Sequence, residues 1–226
     1  MSQITFTGVS HSFGERTVLR DINLSLTEPR IAIVGANGSG KSTLARMING
    51  LVVPMSGTVT VDGLDVSHKG KDVRRRVGFV FTNPDNQIVM PTVQEDVAFT
   101  LRRRGLSADE IAERTAAALD RFGLTMHAEH PAHRLSGGQK QLLALAAVLV
   151  SEPAVIVADE PTTLLDARNA RRISELFMNL DQQVIMVTHH LELIADFDRV
   201  IVIDEGAVVA DASPTAALDA YRELVS

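Results

Sequence analysis

The chain has 226 residues, of which 45% are apolar, and 28 Asp and Glu outnumber 22 Lys and Arg for a formal charge of −6. Its length suits one α/β domain or two small ones, and the acid excess argues against an extended nucleic-acid footprint, which needs a basic face. With no Cys, a disulfide framework and a thiolate metal site are excluded, which suits a reducing compartment.

The first ten residues, MSQITFTGVS, carry no basic head ahead of an apolar stretch, so no signal peptide is expected. Stretches of alternating character at 4–9 and 18–26 predict antiparallel strands at a sheet margin. Apolar runs of strand length follow at 31–34, 77–81, 155–158, 184–187 and 200–203, with helical stretches between them. That order predicts a mostly parallel sheet covered by helices. The middle of the chain differs. Residues 92–104 have helical character, Ser107 and Glu110 form a capping box for a helix that stops at Gly123, and 139–150 is a further helix. Residues 83–150 therefore read as a helical subdomain inserted in an α/β core of 1–82 and 151–226. Glu205-Gly206 predicts a hairpin turn, and Ser213-Pro214 opens a terminal helix. The longest apolar run, nine residues at 142–150, falls short of the roughly 18 that span a membrane. Any membrane role is expected to be peripheral.

The most chemically specific stretch is GANGSGKST at 35–43. It fits G-x-x-x-x-G-K-[ST] and lies between a strand, IAIV, and a predicted helix at 43–49. Gly35, Gly38 and Gly40 allow positive φ and a close backbone approach. The amides from Gly35 through Ala36, Asn37, Gly38, Ser39 and Gly40 to Thr43 can then cradle phosphates at a helix N-terminus. Lys41 supplies a charge for β- and γ-phosphates, and the Ser42 hydroxyl a ligand for Mg²⁺. This motif alone leaves every phosphate-loop nucleotidase open.

LSGGQ at 135–139 is a second anion-binding helix start, with Ser136, Gly137, Gly138 and Gln139 ahead of an apolar helix. AVIVADEPT at 154–162 is a buried strand that ends in two carboxylates, and buried acids are costly unless they bind something. Asp159 is placed to hold Mg²⁺, and Glu160 to polarise an attacking water. In VIMVTHH, His189 follows a central strand and points to the ligand crevice of an α/β sheet, although strand-end histidines are more often structural.

In this order, GANGSGKS, LSGGQ, VIVADE, LLD and TH resemble the nucleotide-binding subunit of ABC transporters over almost the whole chain. The resemblance implies a phosphate-loop NTPase (RecA-like) core and an ATPase that uses ATP and Mg²⁺. It also implies a head-to-tail dimer with a second copy or a paralogous ATPase, each ATP lying between the phosphate loop of one chain and the signature of the other. By the same resemblance Phe13 in SHSFG stacks on adenine (a core residue of an edge strand is the alternative), Asp166 communicates across the dimer, Glu160 is the general base and His189 the switch histidine. FTNPDNQIVMPTVQEDVAF at 81–99 is similar to the ATPase of energy-coupling factor (ECF) importers of vitamins and metal ions, whose NP-x-x-Q loop precedes a helix facing the membrane subunit. The short end of the chain and its Thr82 loop are most similar to the ATPase of a biotin importer. Implied partners are integral membrane subunits met by 83–97 at the cytoplasmic face of the inner membrane, with no nucleic acid.

The chain departs from the family at two positions. Thr82 stands where a glutamine is usual, which puts Mg²⁺ and water coordination there in question, and Gln87 is expected to face the membrane partner. Leu142 replaces an arginine, with an effect expected on helix surface packing or on a contact with the loop. His127, His130 and His133 recur at three-residue intervals, but Pro131 interrupts any helix aligning them, so a solvated loop is expected rather than a metal site. The basic runs Arg74–Arg76 and Arg102–Arg104 read as solvated charge or a helix-dipole complement, with contact to a membrane subunit or anionic headgroups as the alternative for the second. The remaining alternative is an ABC ATPase that acts on cell-wall or division partners or on nucleic acid.

Overall fold

The structure is a computed structural model and describes residues 1–102 and 104–224; Arg103, in the second basic run, lies outside the described residues. The chain forms two compact units. The first comprises Met1–Phe79, Ala154–Glu160 and Leu176–Ser226, the second Val80–Pro153 and Pro161–Glu175.

The first unit holds two sheets. In one, β1 (Ile4–Phe13), β2 (Arg16–Leu26), β4 (Ser56–Val61) and β5 (Leu64–Asp65) run in the order β2-β1-β4-β5 with antiparallel pairing throughout. Period-2 alternation explains it: Ile4, Phe6, Val59 and Val61 are buried on one face while the threonines between them turn outward. The margin strands at 4–9 and 18–26 thus belong to a sheet of their own. Its partners β4 and β5 were not read from the sequence, although TVTV alternates and Asp62 and Gly63, both at positive φ (50° and 77°), make the two-residue turn that suits a hairpin.

The other sheet contains β3 (Arg30–Val34), β6 (Val77–Val80), β7 (Val155–Asp159), β8 (Gln183–Val187), β9 (Arg199–Asp204) and β10 (Ala207–Ala212), in the order β10-β9-β3-β8-β7-β6. β3 pairs in parallel with β8 and β9, and β7 with β8, while β10 returns antiparallel to β9 through Glu205-Gly206. Every residue of β7 and β8 is buried, as expected of parallel strands covered on both faces. This unit also carries α1 (Lys41–Ile48), α2 (Gly70–Arg76) and α7 (Pro214–Leu224).

The second unit is helical: α3 (Val93–Leu101), α4 (Ala108–Arg121), α5 (Gly137–Leu149) and the first turns of α6 (Ala167–Met178). Each of the first three starts with a reciprocal capping box, at Thr92/Glu95, Ser107/Glu110 and Ser136/Gln139. The last of these starts α5 two residues before the predicted 139, because Ser136 and Gln139 satisfy the opening amides. α5 is buried almost all round. Leu142 is 4% exposed and so packs in the core instead of on the helix surface.

Candidate functional site

The phosphate loop follows β3 and opens α1, as its sequence context requires. Gly35, Gly38 and Gly40 have φ of 149°, 80° and 110°. Two of these glycines are also enforced by crowding: a Cβ on Gly35 would stand 2.0 Å from the Ile203 carbonyl oxygen, and one on Gly40 2.6 Å from that of Val18. The loop is therefore pinned against β9 and β2 before any ligand arrives. Lys41 is buried, and its Nζ donates to the carbonyl oxygens of Gly35 at 2.9 Å and Ala36 at 2.8 Å. Burial pulls its pKa down, opposed by the charges of Glu160 and Asp159. Arg16, which the sequence did not mark, donates to the Gly38 carbonyl at 3.3 Å from the β1–β2 turn.

The acids at the end of β7 sit beside this loop. The Ser42 hydroxyl donates to Asp159 Oδ1 at 2.7 Å, and Arg46 Nη2 lies 3.0 Å from Asp159 Oδ2. Asp159 is 1% exposed, so its charge is compensated by a hydroxyl and a guanidinium. Arg46 follows Ser42 by four residues in α1, a helical spacing the sequence contained but did not flag. Glu160 leaves the strand in the left-handed region, φ 51°, with its N–H on the Val187 carbonyl at 2.9 Å. A non-glycine residue pays about 1–2 kcal/mol there, and the ladder hydrogen bond holds the turn. His189 Nδ1 lies 3.0 Å from Glu160 Oε2. The predicted strand-end acid and strand-end histidine are thus one hydrogen-bonded pair.

A cavity of about 270 Å³ is lined by Phe13, Arg16, Val18, Asn37, Gly38, Gly40, Lys41, Ser42, Thr43 and Glu160. It unites an aromatic ring, the phosphate-loop backbone, an ammonium and an acid. Phe13 is 56% exposed at the end of β1 and rests edge-on against His11, ring centroids 4.7 Å apart. This is not a packed core position, so the alternative of Phe13 as a core residue fails. The residues fit a nucleoside triphosphate: backbone cradle, cation, and a ring face open to the cavity. They also fit Mg²⁺, a hard cation that takes oxygen ligands, because the Ser42 and Asp159 oxygens already converge. Ser39 is buried with its hydroxyl oxygen lacking a partner.

The remaining predicted residues lie in the second unit. Thr82 opens the polar loop after β6 and belongs to that unit, unlike Ser42 and Asp159. Gln87 does not face outward. Its Oε1 accepts the Phe81 N–H at 3.3 Å and its Nε2 donates to the Ala144 carbonyl at 3.0 Å, clamping the loop to α5. Lys140 reinforces this clamp through Asp85 at 2.7 Å.

At the signature, Ser136 and Gln139 are spent on each other in the capping box. Gln139 Oε1 accepts the Ser136 N–H, which leaves its Nε2 to donate to His127 Nε2 at 2.9 Å; His127 Nδ1 in turn meets His130 Nδ1 at 3.0 Å. The histidines thus buttress the signature. Among the described residues no group of three or more His, Asp or Glu could hold a metal ion. Asp166 accepts from Asn169, whose backbone N–H holds its carboxyl below the usual range.

Comparison with known proteins agrees with this geometry. Residues 19–163 match the ABC transporter family. The chain is 44% identical over 223 residues to the biotin transport ATP-binding protein BioM of Rhizobium etli, covering 99% of each. It is 42% identical over 219 residues to the energy-coupling factor transporter ATP-binding protein EcfA1 of Listeria monocytogenes, covering 93% of this chain and 78% of that one. Among solved structures, cbiO1 from Clostridium perfringens, part of the ABC transporter complex cbiONQ, superposes with TM-score 0.84 at 33% identity, over 98% of this chain and 92% of that one. The ATP-binding cassette MJ0796, a dimer in a post-hydrolysis state with ADP and Pi, gives TM-score 0.82 at 30% identity, over 93% and 98%.

The chain belongs to the ABC transporter ATP-binding family. It is an ABC-type ATPase of the kind found in ECF importers.

Proposed function

We propose that this chain hydrolyses MgATP as one half of a head-to-tail dimer and so drives import through integral membrane subunits, with biotin as the favoured cargo. The observation that carries the reading is the convergence of Lys41, Ser42, Asp159 and the Glu160–His189 pair around the phosphate-loop backbone. Phe13 takes the adenine ring. Gly35, Ala36, Asn37, Gly38, Ser39, Gly40 and Thr43 present backbone to the phosphates, and Lys41 neutralises them. Ser42 and Asp159 would hold Mg²⁺, an ion that supplies charge stabilisation for phosphoryl transfer. Glu160 accepts the proton of the attacking water, and His189 fixes the Glu160 carboxylate and reads the γ-phosphate. Ser136, Gly137, Gly138 and Gln139 serve the nucleotide held by the partner chain, and Asp166 signals across the dimer.

Among the described residues no helix is long and apolar enough to cross a membrane. In this reading the chain attaches peripherally, at the cytoplasmic face, through the segment at 83–97. Biotin is favoured by the near full-length match to BioM; a metal cation is the second cargo, from the likeness of 81–99 to ECF importers of vitamins and metal ions.

Glu160→Gln tests the chemistry. Turnover is expected to fall by about a hundredfold or more, within the range for general bases, while ATP affinity holds. Undiminished turnover would remove Glu160 from the role. Uptake of labelled biotin into cells carrying the chain with its membrane subunits, and its loss in the same variant, tests the cargo. ATP-dependent uptake of a metal cation instead would replace biotin.

A further inference from the structure

One polar residue next to two predicted site elements has no part in the reading above. Asn169 stands in the first turn of α6. Its backbone N–H donates to Asp166 Oδ1 at 2.8 Å and its side-chain Nδ2 donates to Asp166 Oδ2 at 2.9 Å. Both oxygens of an exposed carboxylate are therefore held by one residue, and a two-point grip fixes direction where a single bond would leave rotation free.

The same carboxamide meets the signature. A Cβ on Gly138 would stand 2.9 Å from Asn169 Cγ and Oδ1, and 3.2 Å from Nδ2. Gly138 lies within α5 and is not among the glycines at positive φ. Its backbone conformation is one that any residue adopts, and alanine would favour the helix by about 1 kcal/mol. Contact explains the glycine: the flat amide of Asn169 packs on its Cα. The neighbouring Gly137 has nothing within 4 Å of the corresponding position, so the demand is specific to the residue that faces Asn169. Asp166, Asn169 and Gly138 all belong to the second unit.

We propose that Asn169 is a positioning residue that locks Asp166 to the Gly138 end of the signature, so that the acid and the signature meet a second copy of the chain as one rigid surface. The proposal rests on the head-to-tail dimer of the preceding reading. A carboxamide is the side chain suited to this place. Its N–H grips Asp166 without adding a second negative charge, and its planar face fits over a bare Cα. Asn169→Asp keeps the size but sets two carboxylates together; Asn169→Ala removes every side-chain atom that faces Gly138 and Asp166.

The experiment uses the full chain in a Glu160→Gln background, where ATP-driven dimerisation is followed by sedimentation, together with steady-state turnover in the Glu160 chain. Asn169→Ala and Asn169→Asp are expected to weaken the dimer and lower kcat by about fivefold or more, the usual scale of coupling between residues in contact. Affinity for ATP of the dilute monomer and the melting temperature are expected to hold, a split that a purely structural role would not give. Gly138→Ala provides the second arm: its loss of kcat is expected to be smaller when Asn169 is also Ala, because the colliding atoms are gone. Equal losses in both backgrounds, or Asn169 variants that dimerise like the parent, would overturn the positioning role alone. A parallel fall in monomer ATP affinity and melting temperature would reduce Asn169 to a folding residue. Failure of the Glu160→Gln chain itself to dimerise with ATP would instead overturn the dimer reading.

Discussion

At the scale of single residues, the site is arranged to keep costly groups in place. Lys41 is folded back onto its own loop, Asp159 is paired on both oxygens, and Glu160 holds a strained φ between a ladder bond and His189. The type and order of these residues were readable because phosphate chemistry demands them at fixed spacing. The roles of Arg46 and Asn169 were not readable, since Asp159 and Gly138, which they meet, lie in other segments. A buried acid away from the phosphate loop gives a test of residue energetics. Asp96 is 3% exposed, and its Oδ1 accepts the N–H groups of Val89 at 2.8 Å and Met90 at 3.0 Å. Burial raises its pKa above the usual range against those two bonds. The folded chain therefore binds this proton more tightly than the unfolded chain. The resulting stability is complete below the unfolded value, about 4, and is lost as pH rises through the folded value. Asp96→Asn keeps an acceptor and does not titrate. Its stability relative to the parent chain, from urea unfolding, is expected to improve as pH rises above about 4. A difference that does not change with pH would contradict the burial effect.

At the scale of elements, the loop after β6 is the instructive case. The sequence marked it as a polar edge and expected Gln87 to look outward. A glutamine carries a carbonyl acceptor and an NH₂ donor, and beside an apolar helix both satisfy part-buried backbone groups, joining the Phe81 amide to the Ala144 carbonyl. The loop thus rides on α5, the helix that the signature begins. Gln87→Ala is expected to cost about 1–2 kcal/mol, the penalty for stranding such groups, and to speed amide exchange at 81–88. Unchanged protection of that segment would show that the clamp contributes nothing. The capping boxes at Ser107 and, by the same rule, at Thr92 and Ser136 show the opposite situation. They are local, so a stretch of four residues suffices to specify each. β4 and β5 escaped notice because short, half-exposed strands depend on a neighbouring strand that sequence order does not reveal.

At the scale of the whole molecule, the reading of one chain as half of an enzyme has a direct consequence. If each nucleotide needs the signature of another chain, specific activity must depend on protein concentration. Turnover per chain is expected to rise with dilution series run upward and to level off once the dimer is saturated. A flat profile down to nanomolar chain would show a self-sufficient monomer. Length, acidity and lack of Cys restricted the class of protein. The motifs determined the chemistry, and the apolar runs determined a parallel sheet, because phosphate loops, helix caps and buried strands are encoded by neighbours in sequence. Tertiary structure alone decided that the first two strands leave that sheet for one of their own, that Leu142 enters the core, that His127 and His130 buttress the signature, and that Asn169 joins Asp166 to Gly138. The physical reason is common to all four. Each depends on burial, hydrogen bonding or close packing between different elements of the fold, and such energies exist only after the chain has folded.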